Sequence, residues 1–395
     1  MAAAGAVETA VARPRAAWIG SPAWDLWWMF SGLWGGALLL AASAFADVTL
    51  LETAFLALLV RLFVSVAHSW STTWMVLFSP LLRRERRARP GRYRQVPLAL
   101  VALSLALGLG VAGWQRFPAD GRFGAGLWIF GLYVALFWVG HFWHFGNQDF
   151  GVLTLYRLKA GQTRSADRRV DKLYTMAMMF LIQPIVYLSI VRSTAFAEMV
   201  TTWLPVSAAG LWLAARAAVA AAALLTLGAA AFELAKQNRS LPKLLYYGVC
   251  FLHAALLFGA AWADEPVLAI LYVVAYLWSH WFIAIGLVSR INAGYYRSRG
   301  DSPARSLLRH AAVVGSIAAA VCALTLPWLD YGLFNTDGFR YKEILAGIGP
   351  GQTLWVGGLL GFFLAEQLLH YYCDRCLFRF RDPDVRARVA PLLLG

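Results

Sequence analysis

The sequence contains few charged residues. Only 14% of its 395 residues are Asp, Glu, Lys or Arg, whereas 60% are hydrophobic, and the mean hydropathy is +0.59. Soluble domains carry about 25% charged residues, so an ordinary soluble protein is excluded and an integral membrane protein is predicted. The net charge of +14 does not indicate nucleic-acid binding, because the basic residues fall in short segments between apolar runs, where they set topology and meet anionic lipid.

Cysteine is also scarce. The four cysteines do not form the pattern of a disulfide framework, and Cys250 and Cys322 lie within apolar runs, where we interpret them as packing residues. Cys373 and Cys376 form a CxxC motif. A zinc site of the usual kind needs a second pair of ligands, which this sequence does not provide next to another CxxC. Packing is therefore the preferred interpretation of this pair, and a redox or metal-binding role is the alternative.

No hydrophilic stretch is long enough for a separate soluble domain, and no internal repeat is visible. We predict one helical membrane domain at 24–374, with cytoplasmic tails at 1–23 and 375–395, the first of them disordered. Apolar runs of about 20 residues or more are long enough to cross a membrane as helices. They occupy 24–46, 50–80, 96–117, 126–150, 173–194, 207–234, 244–263, 267–289, 311–334 and 354–373. The predicted fold is all-α and polytopic, with about ten transmembrane helices.

The basic residues indicate the orientation of these helices. If both termini are cytoplasmic, 28 of the 35 Lys and Arg residues lie on the cytoplasmic side, including the segment Arg83–Arg94. Cytoplasmic loops of membrane proteins carry such an excess. A ten-helix topology with both ends inside therefore agrees with the charge distribution.

Histidines are the second feature of the apolar runs. The stretch WVGHFWHFGNQDF at 138–150 contains two histidines three residues apart, which lie on nearly the same face of a helix. In the predicted topology, five runs each bring one histidine to within about one or two helical turns of a common level. These are His68, His144, His253, His280 and His370, and His141 lies one turn deeper than His144.

A single histidine within a membrane is more often a packing residue than a ligand. Five histidines at one level favour a metal or haem site instead, since intramembrane ionisable groups tend to be functional. The predicted metal ligands are His68, His144, His280, His370 and His141. His253 has no acid near it in the sequence and is the expected bystander. Imidazole ligands suit iron, copper or zinc and do not choose among them.

Three acids accompany the predicted ligands. Asp149 follows His144 by five residues, and Glu366 and Asp374 lie four residues before and after His370. A carboxylate in such a place orients an imidazole by accepting its second N–H. We therefore expect Asp149, Glu366 and Asp374 to support catalysis.

The segment HFGNQDF at 144–150 resembles the HFG-x-x-D-F element of the Brp/Blh family, membrane enzymes that cleave β-carotene to retinal with iron and dioxygen. The order of the other histidines is also similar, with His68, His280 and His370 at the places of the family's remaining elements. Thr72 and Ala284 stand where that family has an acid and a histidine. The resemblance implies a non-haem iron oxygenase in the inner (cytoplasmic) membrane of a bacterium.

The leading hypothesis is a histidine-ligated iron oxygenase whose lipophilic substrate enters from the bilayer. One alternative is a redox protein with haem held between histidines of facing helices. Another is a transporter with a polar pathway, whose candidate residues are Arg61, His68, Gln183, Arg216 and Glu366. In that case the two arginines pair with acids such as Glu52 and Glu233, or reach the interface. The sequence does not indicate the oligomeric state.

Overall fold

The structure is a computed structural model, and it describes most of the chain. The described residues are 17–45, 64–114, 125–186, 207–263, 266–300, 302, 304–305, 308, 311–317, 320, 353–380 and 382–394. Helices make up most of these ranges, and no β-strand occurs within them. The all-α prediction is therefore confirmed for this part of the chain.

The helices follow one another with short connections. The α-helices are α1 (Pro22–Trp28), α2 (Ser31–Phe45), α3 (Val66–Leu77), α4 (Arg83–Ala88), α5 (Val96–Trp114), α6 (Ala125–Lys159), α7 (Ser165–Ala177), α8 (Ala208–Leu234), α9 (Leu241–Trp262), α10 (Pro266–Arg297), α11 (Thr353–Leu377) and α12 (Pro383–Leu394). A 3₁₀ turn occupies Pro80–Leu82, and π turns occupy Gly91–Gln95 and Met178–Ile182.

Four segments of the described chain are long and apolar enough to cross a membrane. They are Gly91–Gly110, Ala209–Leu234, Leu241–Trp262 and Leu271–Arg297. These segments support the membrane association predicted from composition. Several other predicted spans include residues outside the described ranges, among them 46–63 with Arg61, 187–206 and 321–352.

Local sequence explains where two of the long helices begin and end. The helix α6 runs to Lys159, beyond the predicted end at residue 150, and stops at Gly161, whose φ is +67°. The amides of Gly161 and Gln162 bond the carbonyls of Leu158 and Arg157, which is the Schellman pattern of a glycine C-cap. The next long helix pair is started again by a side chain, since the Ser240 hydroxyl accepts the amide of Lys243 at the beginning of α9.

The helices α5 and α11 approach each other backbone to backbone. A Cβ on Gly108 would lie 2.2 Å from the Gly361 nitrogen, and one on Gly361 would lie 2.6 Å from the Leu105 Cα. Small residues permit this closeness between membrane helices, where packing replaces the hydrophobic effect as the driving force. Gly358, next to this contact in sequence, has no atom within 4 Å of its Cβ position. The contact fixes α11, which carries His370.

We predict that Gly361→Ala destabilises the protein and that Gly358→Ala does not. Both changes add the same helix propensity, but only Gly361→Ala forces a methyl group into backbone, which costs about 1–3 kcal/mol or more. Thermal unfolding in detergent measures the difference. Equal melting temperatures for the two variants would show that α5 and α11 are not in this contact.

The predicted tails are largely part of the bundle. In the described part of the N-terminal tail, the amides of Ile19 and Gly20 donate to the buried Asp25 carboxylate, so residues 17–23 are ordered rather than disordered. At the other end, α12 buries one face of apolar residues, namely Val385, Val389 and Leu393. The amphipathic pattern of α12 was not recognised in the sequence because the segment is short and follows five basic residues.

The basic segment Arg83–Arg94, predicted as a loop, is mostly helical and pairs with the C-terminal segment. Arg92 lies 2.9 Å from Asp382, Arg89 pairs with the same carboxylate, and Arg388 lies 2.9 Å from Glu85. Burial raises the pKa of Asp382, but the hydrogen bonds from both arginines outweigh this and hold the pKa below its ordinary value. These contacts place the two segments on one side of the bundle.

A buried ionic cluster joins α7, α8 and α9. The Lys243 ammonium is fully buried and lies 2.8 Å from Asp171 and 3.1 Å from Glu233, and Lys236 lies 2.7 Å from Glu233 and 2.9 Å from Asp167. We call these five residues the ionic cluster. Burial raises the pKa of Asp167, but hydrogen bonds from Lys236 and Arg164 outweigh it and lower the pKa.

Arg216, a candidate for the polar pathway of a transporter, lies on the outside of the described bundle. It is exposed, and its guanidinium lies 5.0 Å from the Trp212 ring and 5.6 Å from the Trp262 ring. The hypothesis that it pairs with Glu233 is wrong, because that carboxylate binds Lys236 and Lys243. Cation–π contacts with two tryptophans are typical of an arginine that reaches the membrane interface.

Candidate metal centre

Four helices each contribute one buried histidine to a single cluster. His68 comes from α3, His144 from α6, His280 from α10 and His370 from α11. One ring nitrogen from each lies within 4.8 Å of those of the other three, and none of the side chains is more than 4% exposed. The convergence of these four predicted ligands is thus confirmed, although they are up to 302 positions apart in a chain of 395.

The His144 imidazole lies at the centre of this group. Its Nε2 atom is 3.2 Å from Nε2 of His280 and 3.2 Å from Nε2 of His370. A neutral imidazole nitrogen either donates one hydrogen or accepts one, so this atom satisfies both neighbours only if their tautomers differ. Nitrogens bound to one metal ion at about 2.0–2.1 Å lie about 3–3.4 Å apart. The close contacts therefore fit ligands of a shared cation.

His68 completes the group from a third direction. Its ring centroid is 4.2 Å from that of His370 and 4.7 Å from that of His280. Neither nitrogen of His68 makes a well-formed hydrogen bond, although the backbone carbonyl of Trp281 lies beside the ring. A buried imidazole without partners costs free energy. A metal on one nitrogen and a carbonyl at the other is the usual arrangement of a ligand histidine.

One carboxylate belongs to the cluster. The Asp374 oxygens lie 3.6 Å from Nδ1 of His370 and 3.7 Å from Nε2 of His144. The Thr72 hydroxyl, at the position where the resembling family has an acid, lies near this carboxylate. A buried carboxylate next to four imidazoles supplies negative charge that balances part of the charge of a cation. The placement of Asp374 agrees with the predicted orienting role.

Asp149 and Glu366 are placed differently. Asp149 is buried and accepts a hydrogen bond of 2.8 Å from the Tyr246 hydroxyl on α9. No hydrogen bond or ion pair joins it to the four histidines in the described structure, so the expectation that it orients His144 is not met by this geometry. Glu366 is buried one helical turn before His370 on α11.

The two remaining described histidines lie outside the four-histidine group. His141 is buried and packs against Phe145, with ring centroids 4.2 Å apart. Its ligand role stays a prediction. His253 is 1% exposed and lies with its ring 5.6 Å from that of Tyr276. The expectation that His253 is separate from the metal ligands agrees with this position.

Aromatic rings that sequence analysis did not single out pack directly on the ligands. Phe145 stacks on His280 with centroids 3.5 Å apart, and Tyr371 stacks on His144 at 4.5 Å. Gly140 makes room for Tyr371, because a Cβ there would lie 3.1 Å from the tyrosine ring. The only signal for these residues in the sequence was their position next to His144 and His370. They cover the imidazoles with apolar surface.

A side-chain amide fixes α10 against α6 at the level of the cluster. The Gln148 Nε2 group donates a hydrogen bond of 2.9 Å to the backbone carbonyl of His280. Gln148 follows His144 by four residues and so lies on the same face of α6. This bond holds two of the four histidines in register.

The CxxC cysteines lie just beyond the cluster on α11. Cys373 and Cys376 are buried and are not joined by a disulfide. Cys376 accepts a hydrogen bond of 3.4 Å from Arg92. Their burial agrees with packing as the preferred interpretation.

The assembled site comprises four imidazoles, the Asp374 carboxylate and an aromatic cover, all inside a helical bundle with membrane-spanning character. Comparison of the chain with protein-family models, with curated proteins and with solved structures finds no match.

Proposed function

We propose that the protein is a membrane-embedded oxygenase whose iron ion is held by His68, His144, His280 and His370. The observation that supports this most is the position of His144 Nε2, 3.2 Å from two further imidazole nitrogens and 3.7 Å from the Asp374 carboxylate. Four imidazoles with a carboxylate beside them suit a redox-active divalent metal, and copper or zinc are the alternatives. The resemblance of HFGNQDF to the carotene-cleaving family favours iron.

Haem is less compatible with this arrangement. A haem would use two axial ligands on opposite faces, with the macrocycle filling the plane between them. Here the rings of His68 and His280 lie 4.7 Å apart, and both lie near His144 and His370. The imidazoles themselves occupy the space that a porphyrin would need.

The bound metal would supply activation of dioxygen, and the protein residues would do the rest. The four histidines hold the ion, and Asp374 orients His370 and His144 by its position within 4 Å of each. Phe145 and Tyr371 cover two of the imidazoles, which excludes water and offers an apolar surface to the substrate. A lipophilic molecule, with a carotenoid as the first candidate, would enter from the bilayer.

The finer topology belongs to the same proposal. Ten transmembrane helices with both termini cytoplasmic place the four histidines in the middle to cytoplasmic part of the bilayer. The ion pairs of Arg89 and Arg92 with Asp382 support this, since they require the basic segment and the C-terminal segment to share one side. Cysteine labelling in intact cells should find 83–94 and 375–388 protected and 335–353 reactive. The opposite pattern would reverse the orientation.

Metal analysis of the purified protein, together with its absorbance spectrum, tests the proposal. We expect iron in stoichiometric amount and no Soret band, because haem absorbs intensely and non-haem iron does not. An intense Soret band would support the haem alternative, and protein without any metal would overturn the metal enzyme.

Expression in a carotenoid-producing bacterium tests the substrate. A carotene-cleaving enzyme should bleach the pigment and yield an aldehyde. Unchanged pigment in cells whose protein holds iron would remove carotene and leave the oxygenase class.

Two buried aspartates on different helices provide a matched pair for the site geometry. We predict that Asp374→Asn weakens metal binding about 10- to 100-fold, the usual effect of removing a group that orients a ligand. Asp149→Asn removes an equally buried charge but touches Tyr246 instead of the histidines, so metal binding should be unchanged. Metal titration of the two folded variants measures this, and equal effects would show that neither carboxylate acts on the ligands.

A further inference from the structure

A second polar group lies beside the candidate metal centre. It consists of Gln183, His253 and Tyr276, which we call the Tyr276 layer. Tyr276 precedes His280 by one helical turn on α10, and its hydroxyl donates a hydrogen bond of 2.8 Å to Oε1 of Gln183. The ring of His253, from α9, lies 5.6 Å from the Tyr276 ring at an angle of 89°. Three separate segments of the chain thus meet at one level of an apolar core.

This layer has hydrogen-bonding capacity that the protein does not use. Both ring nitrogens of His253 and the Nε2 group of Gln183 are buried without a hydrogen-bond partner. His253 is 1% exposed and Gln183 is fully buried. Leaving such a group unpaired costs about 1–3 kcal/mol. A polar occupant that pairs with these atoms would remove this cost.

The backbone at Gln183 departs from a regular helix in a way that suits a binding site. A π turn spans Met178–Ile182, and the amide of Gln183 bonds the carbonyl of Met178, five residues back. The next residue, Pro184, has no amide hydrogen to continue the helical pattern. A π turn rotates the residues that follow it relative to those before, and such turns are frequent at functional sites. Here it precedes the side chain that reaches Tyr276.

The Tyr276 layer and the four histidines share one aromatic wall. Phe145 stacks on His280 at 3.5 Å on one side and on Tyr276 at 5.4 Å on the other. One helical turn is about 5.4 Å along the axis, so the layer is only a few covalent bonds away from the cluster. A ligand bound at the histidines would have its near atoms at the layer.

We propose that the Tyr276 layer is a binding site for one uncharged oxygen atom, a hydroxyl or a carbonyl, carried by an otherwise apolar ligand. The Gln183 amide donates to that oxygen, and the His253 ring donates or accepts according to whether the oxygen is a carbonyl or a hydroxyl. The apolar body of the ligand packs on Phe145. This inference rests on the proposed function only for the direction in which the ligand extends, toward the histidines.

The same pairing could be made by an ordered water molecule, which needs two to four polar partners. Both sources supply an uncharged oxygen, and they differ in whether that oxygen is attached to an apolar chain. Sites built to bond a hydroxyl reject analogues that lack it. A comparison of probes with and without oxygen therefore separates the two sources.

The experiment measures binding of three twelve-carbon probes to the purified full-length protein. The probes are 1-dodecanol, 2-dodecanone and dodecane, and thermal unfolding at increasing probe concentration gives an apparent Kd for each. We expect the alcohol or the ketone to bind at least about tenfold more tightly than the alkane, as one buried hydrogen bond contributes. The metal content of each sample is measured in parallel.

Variants show whether the layer causes the preference. His253→Phe and Gln183→Met remove the unpaired groups at similar volume, and both should reduce the preference for oxygen to near onefold. Tyr174→Phe is the matched control, because it removes a buried hydroxyl that bonds Thr226 and the Tyr247 carbonyl, away from the layer. Its preference should equal that of the unaltered protein.

Two results would overturn the inference. Equal affinity for all three probes would mean that the layer holds water only, and a preference that survives in both variants would place the oxygen elsewhere. Neither result depends on the metal: His253→Phe should keep its metal content in every case, and loss of metal from the unaltered protein is the separate result that would refute the proposed function.

Discussion

Replacement of any one of His68, His144, His280 and His370 by alanine is expected to remove most of the bound metal and all activity. The four nitrogens lie within 4.8 Å of one another and no other group of histidine, cysteine or acid side chains comes together in this way among the described residues. Each alanine opens one coordination position that the surrounding aromatic rings cannot fill. The loss should therefore exceed the about 10- to 100-fold effect of a group that only orients a ligand.

The measurement is metal content of folded, monodisperse protein, with His253→Ala as the control. His253 is as buried as the four ligands but lies outside their group, so its replacement should leave the metal in place. Added imidazole should restore part of the metal binding to the His144→Ala variant by entering the vacated space. Full metal retention in any two of the four alanine variants would show that the histidines only pack the helices together.

The four-histidine site could be predicted from the sequence because it depends on depth alone. Counting residues from each histidine to the nearest basic segment gives its level in the membrane, and helices that cross together bring equal levels into contact. The side-chain directions could not be predicted in the same way. Asp149 and His144 lie on one helix, but their separation of five residues turns Asp149 toward Tyr246 on α9.

The wrong expectations on the fold concern segments whose partners are distant in sequence. The segment Arg83–Arg94 reads as a loop because seven of its residues are basic, yet it is held by Asp382 and by the pairing of Glu85 with Arg388. These acids lie almost 300 residues later, so local patterns contain no information about them. Positive charge set the side of the membrane correctly but did not indicate the packing.

The same lesson applies to the ionic cluster, whose residues were counted only as indicators of topology. Lys236 and Lys243 lie in a short connection with few apolar residues, which is typical of a solvated loop. Instead, Lys243 is fully buried. The reason is that Asp171 and Glu233 approach from α7 and α8 and supply the opposite charges, which a linear pattern does not reveal.

Lys243→Met is expected to destabilise the protein by about 3–5 kcal/mol, the cost of breaking a buried ion pair from one side. The Lys243 ammonium lies 2.8 Å from Asp171 and 3.1 Å from Glu233 and also donates to the Gln162 side chain. Methionine keeps the length of the side chain but leaves two carboxylates with one cation fewer. Lys172→Met, an exposed change on α7, should stay within about 0.5 kcal/mol.

The double variant Lys243→Met with Asp171→Asn shows whether charge is the cause. Removing one acid together with the lysine restores the balance of the cluster, so the double variant should be more stable than Lys243→Met alone. Thermal unfolding in detergent and metal retention are measured together, because the cluster joins α7, α8 and α9 at some distance from the four histidines. If Lys243→Met melts with Lys172→Met, the ionic cluster does not hold these helices together, and the packing of α9 against α7 and α8 must be sufficient by itself.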